Sequence, residues 1–232
     1  MFSRRRCMQY RLNPTRYINS DDPHVQNFAR TACIGAKTHT EKAVRLYYAV
    51  RDGIRYNPYA ISLDPDAYRA SFVLERKEGF CVQKAILLAA VSRAAGVPAR
   101  LRFANVVNHL VTGRLKKQMK TGLFVFHGIT EFFLDGEWRK VTPAFNLSLC
   151  EKFGVLPLEF DGVSDSVFHP FDREGRRHME YVYDYGPFDD FPFERMVSEL
   201  KKHYPHFFPD AGEAQEMPTG NFEDEAAAES AT

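Results

Sequence analysis

From Cys81 onward apolar residues return at Val82, Ala85, Ile86, Ala89, Ala90 and Ala94, close enough to helical spacing to predict a buried helix that Gly96 and Pro98 stop. Two helices are predicted before it. Ser20-Asp21-Asp22-Pro23 supplies a cap with proline in the first turn, and a helix follows to about Gly35. Thr40-Glu41-Lys42-Ala43 opens the second, with Ala43, Val44, Leu46, Tyr47 and Val50 apolar and an end near Gly53. Asn57-Pro58 and Asp64-Pro65 break the next stretch into a loop. Past residue 98 the period changes to two. Ala99 to Val107 reads as a strand with Arg100 and Arg102 on one face. Pro192 to Tyr204 reads as a last helix.

A hairpin follows that strand. Asp135-Gly136 readily takes the positive φ angles of a two-residue turn, and aromatic and β-branched residues flank it on both sides. Setting Leu134 opposite Glu137 pairs Phe133 with Trp138, Glu131 with Lys140, Ile129 with Thr142 and His127 with Ala144. Alternation then puts His127, Ile129, Glu131, Trp138, Lys140 and Thr142 on one face.

These two elements carry the candidate chemistry. Gly79-Phe80-Cys81 places a thiol at a helix start, where unpaired N–H groups and the positive end of the helix dipole favour thiolate and offer donors to an oxyanion. A lone cysteine is more often a small packed hydrophobe, so the assignment needs a partner, and His127 is the candidate base.

Cys81 in its Gly-x-Cys helix start, Gly96-Val97-Pro98-Ala99-Arg100, His127 with Glu131 four on, and Trp138 before Thr142-Pro143 together resemble the transglutaminase-like superfamily, a branch of the papain-like cysteine enzymes. Ala49 to Tyr56 is similar to the helix-to-tyrosine segment that precedes the family's cysteine. The resemblance covers roughly residues 20 to 146. It implies an α+β, papain-like fold in which a cysteine-bearing helix packs on an antiparallel sheet that carries the histidine. It also implies thioester chemistry, with Cys81 as nucleophile and His127 as base. The family's aspartate position is filled by Thr142, which accepts a hydrogen bond without bringing a charge; Asn146 is the alternative orienter.

Composition sets the remaining expectations. With 232 residues, 44% hydrophobic and 14% aromatic, the chain is long enough for one buried domain, and its net charge of +1 gives no global pull toward nucleic acid or an anionic membrane. Cys7, Cys33, Cys81 and Cys150 lie far apart, so no structural zinc site and no cofactor are expected; His169, Asp172 and His178 match no zinc spacing. Neither a secretory signal nor a spanning run is visible, which leads to the expectation of a cytoplasmic protein. Four segments are expected: an irregular basic start (1–19), the core (20–149), an aromatic-rich extension (150–208), and a disordered, dispensable acidic tail (209–232). Arg114, Lys116, Lys117 and Lys120 are expected on a solvated loop or short helix. The function expected is hydrolysis or acyl transfer to an amine, on a protein, peptide or small amide or acyl substrate. The alternative is a binding module that kept the fold and lost the chemistry.

Overall fold

Asp22 accepts N–H bonds from His24 and Val25, and Pro23 sits in the first turn, so α1 (Pro23–Ala32) starts where the Asp-Pro pair predicts. A reciprocal capping box of Thr38 and Glu41 starts α2 (His39–Gly53). The short strands β1 (Arg55–Tyr56) and β2 (Glu78–Gly79) pair in parallel on either side of α3 (Ala70–Arg76). This computed structural model describes residues 10–109, 111–168, 179–208 and 218–230.

Helix α4 (Cys81–Ala94) occupies the centre. Every residue from Val82 to Arg93 is buried, because α1, α2 and α3 pack on it from one side and the main sheet from the other. A helix between two layers has no solvent face, so its sequence is apolar all round. The exceptions are satisfied internally. Lys84 Nζ donates to the carbonyls of Arg51 (2.9 Å) and Ile54 (2.5 Å) at the end of α2. Arg93 donates to the carbonyls of Asn13, Ala99 and Asp189, tying three distant segments to one side chain.

The main sheet comprises β3 (Ala99–Asn108), β4 (Leu123–Leu134), β5 (Glu137–Val141) and β6 (Met179–Phe188), antiparallel in the order β5-β4-β3-β6. Asp135 and Gly136 both have positive φ, 49° and 93°, and the ladder runs from Leu134–Glu137 through Glu131–Lys140 as the turn dictates. It stops one pair later, at Thr130–Val141. Ile129–Thr142 and His127–Ala144 therefore do not pair. Pro143 has no N–H to continue the ladder, and the Thr142 N–H bonds the Ser166 carbonyl instead, at 2.9 Å. On the face away from α4, buried Glu131 accepts from Arg100 and Arg102. The Arg100 guanidinium stacks 3.9 Å from the Trp138 ring centre, with Arg11 at 5.2 Å.

Between β3 and β4, the basic cluster lies largely on α5 (Gly113–Met119), which turns Leu115 and Met119 inward. Helix α6 (Leu147–Phe153) runs across the 149/150 boundary, so core and extension are continuous there. The extension is fastened by Tyr47 and Arg51, both of which donate to the Leu158 carbonyl, at 2.8 and 2.7 Å. It also supplies β6, whose Tyr181, Val182 and Tyr183 stay exposed on the sheet edge, and then α7 (Phe193–His203).

The expectation of a disordered tail needs correction. Residues Phe222–Ser230 form α8, and Phe222 is buried against Tyr56, Tyr59 and Phe153. Glu225 accepts hydrogen bonds from Tyr59 and Thr112, both at 2.8 Å. One aromatic anchor and a paired carboxylate offset the ordering that the acidic composition opposes. Residues 1–9, 209–217 and 231–232, together with His169, Asp172 and His178, lie outside the described residues. No helix among the described residues is long and apolar enough to cross a membrane.

Candidate active site

Cys81 is the first residue of α4, and that turn is bonded by the side chain of Gln83, whose Oε1 accepts from the Phe80 N–H at 3.2 Å. What sets its surroundings is Gly128. A Cβ there would lie 2.7 Å from Val82 Cα and 2.8 Å from the Cys81 carbonyl oxygen, so β4 crosses the start of α4 at a distance only glycine permits. Thr130 fixes the same crossing by donating to the Ala85 carbonyl at 2.9 Å.

His127 precedes that glycine. Just before it the β3–β4 register shifts between Ala104 and Val106, and Phe126 takes φ 61°. A bulky residue with positive φ costs on the order of 1–3 kcal/mol. Here it is held by an N–H bond to Asn105 Oδ1 (3.1 Å) and by a ring stacked on Phe103 with centres 4.7 Å apart. Such bulges re-aim a side chain. Although His127 shares the sequence parity of Ile129 and Glu131, it lines the same cavity as Cys81, a space of about 70 Å³.

Both groups are poised neutral. Burial pushes the Cys81 thiol up to about 11, against the opposing pull of the Gly128, Val82 and Cys81 N–H groups. Burial alone pushes His127 down to about 4. Among the described residues no carboxylate offsets either shift. His127 Nε2 and Thr142 Oγ1 are both buried without a hydrogen-bond partner among the described residues, so the expected Thr142–His127 bond is not formed. Beside Thr142 stands the Tyr181 phenol, near enough to feel its hydroxyl but not in hydrogen-bond geometry. The Tyr181 ring lies edge-on to His127 at 6.2 Å, and Phe168 flanks it at 5.5 Å.

Asn146 is engaged elsewhere. Its Oδ1 accepts from the Tyr56 N–H at 3.0 Å and its Nδ2 donates to Ser148 at 2.7 Å, so it holds β1 rather than His127. Through it the structure presents a residue that sequence reading did not place in the site. Tyr56 lines the cavity, and its phenol is held protonated first by burial and then by the nearby Cys81 sulfur. The resemblance in the segment ending at Tyr56 was the available signal.

The described part of the molecule therefore puts a helix-start cysteine and a strand histidine on one cavity, in the chain order cysteine then histidine. Residues 26–143, just over half of the chain, match the family model described as the transglutaminase-like superfamily. The chain belongs to the transglutaminase-like superfamily. This is a family of cysteine enzymes with a papain-like α+β fold, and the sheet and helices described above are that fold. No curated protein matches the chain. A protein of Cytophaga hutchinsonii, solved as a candidate cysteine protease, is similar at 16% identity and a TM-score of 0.47 over 78% of this chain and 54% of its own. A candidate protease of Parabacteroides distasonis is similar at 18% identity and a TM-score of 0.37, over 58% of this chain and 25% of its own. This transglutaminase-like chain thus spans about half the length of the first and a quarter of the second.

Proposed function

We propose that this protein is an acyl-transfer enzyme in which Cys81 is the nucleophile and His127 the proton carrier. The observation that carries the reading is that both side chains line one cavity at the start of α4. His127 takes the thiol proton as sulfur adds to the acyl carbon, then delivers it to the departing nitrogen or oxygen, leaving a thioester. Water or an amine resolves the thioester and restores the thiol. The backbone N–H groups at the start of α4 and the Tyr56 phenol on the cavity wall are the donors this reading offers to the developing oxyanion.

A second reading, a binding module without turnover, draws on the neutral thiol and imidazole and on the absence, among the described residues, of a carboxylate beside His127. Intact-protein mass spectrometry after mixing with p-nitrophenyl esters separates the two. A transient acyl adduct on Cys81, lost in Cys81→Ala and formed at least about tenfold more slowly in His127→Ala, is the expected result. A wild-type protein that never acylates would establish the module.

A further inference from the structure

Among the described residues, the 21 that line the Cys81–His127 cavity include no Asp, Glu, Lys or Arg. From the thiol the space extends between Leu115 and Met119 of α5, Leu200 of α7 and Phe207. At this end of the space the one hydroxyl among the described residues is already engaged. The Tyr204 hydroxyl donates to the Leu123 carbonyl at 2.8 Å and accepts from the Val125 N–H at 2.9 Å, so its hydrogen bonds are already made. A substrate group entering this space gains by leaving water only if it is uncharged and apolar, because a carboxylate or ammonium would find no counter-charge there. Size narrows the class further. A cavity of about 150 Å³ accommodates benzene, and this one is about half that.

We infer that the acyl half of the substrate is a short, uncharged, aliphatic group, seated between α5 and α7 with its carbonyl carbon at Cys81. The inference rests on the acyl-transfer reading above and adds the substrate class to it. The sulfur–carbon bond forms as the bond from the carbonyl carbon to an amide nitrogen or ester oxygen breaks. The proton passes from Cys81 through His127 to that leaving atom, and water later takes the acyl group as a short-chain carboxylic acid. The small volume and the uncharged lining among the described residues suit a small molecule with such a group better than a long polypeptide side chain.

The test uses the full chain and four p-nitrophenyl esters, acetate, butyrate, octanoate and the monoester of succinate, with the acylation rate of Cys81 read by release of nitrophenol and by protein mass. Butyrate is expected to react fastest, about tenfold faster than octanoate and at least a hundredfold faster than the succinate ester. In Met119→Ala, and independently in Leu115→Ala, the octanoate-to-butyrate ratio should rise at least fivefold. A succinate ester that reacts as fast as butyrate, or octanoate ahead of butyrate in the wild type, overturns the assigned substrate class and leaves the cysteine chemistry standing. Absence of acylation by every ester overturns the acyl-transfer reading itself, and this inference with it.

Discussion

At the scale of single residues, no negative charge stands beside His127 among the described residues. Thr142 is the residue that the resemblance sets at an aspartate position, and its hydroxyl and His127 Nε2 are buried without partners among the described residues. The thiol at about 11 and the imidazole at about 4 follow from burial with nothing to hold an ion pair. Alkylation of Cys81 by iodoacetamide should therefore climb steadily from pH 7 to 10 rather than level off near neutrality. Thr142→Asp supplies the charge. It should raise the imidazole pKa, and through the imidazolium lower that of the thiol, making alkylation at pH 7 about 10- to 100-fold faster, the size of a charged hydrogen bond of about 1.5–3 kcal/mol. A rate unchanged in the variant would show that residue 142 does not reach His127. That Cys81 and His127 share one cavity was legible in the sequence because each sits in a distinctive local context, a glycine-led helix start and a strand beside a tight turn. The bond that Asn146 accepts from the Tyr56 N–H was not legible, because the two residues lie ninety apart in the chain. Extending a strand's parity through Pro143 could not reveal that.

At the scale of elements, the geometry depends on where β4 crosses α4. Gly128→Ala puts a carbon within 3 Å of the helix backbone, so the strand must move. Overpacking of this kind costs about 1–3 kcal/mol, and a displacement near 1 Å at the reacting groups costs on the order of a hundredfold in rate. Loss of activity well beyond the loss of stability is the expected outcome, measured by ester turnover beside chemical denaturation. The same helix carries Lys84, whose amine burial lowers to about 7, against Asp52 and Cys150, which favour its charge. The unfolded chain then binds a proton that the folded chain does not, so stability rises as pH goes from about 7 toward 10.5 and is lost as pH falls. The gain is up to about 1.4 kcal/mol per pH unit. Denaturation at pH 7 and pH 9 should show it in the wild type, and Lys84→Met should be less stable at pH 9 and much flatter between the two. The helices and the hairpin were legible because caps, periodicity and Asp-Gly are local signals. β6 was not, since its exposed Tyr-Val-Tyr face and its charged residues blur the alternation, and only pairing with β3 makes it a strand.

At the scale of the whole molecule, α8 closes the structure around the site. Pro218 lines the cavity and Phe222 packs on Tyr56, so the acidic end of the chain is part of the wall. Removing residues 218–232 should destabilise the protein by about 2–3 kcal/mol, the worth of a buried phenylalanine, or roughly 5–10 °C in Tm, and should speed alkylation of Cys81. An unchanged Tm would mean that the helix does not dock in solution. Such measurements need a signal that follows the global state and ignores the cavity, and the chain carries one. Trp138 is its single tryptophan, it does not line the cavity, and it is clasped between guanidinium groups from β3 and from the first described residues. Its emission is an optical gauge of whether strand, hairpin and amino-terminal segment remain assembled. A change in Cys81 reactivity that leaves the fluorescence untouched is local to the cavity, whereas one that moves both belongs to the fold.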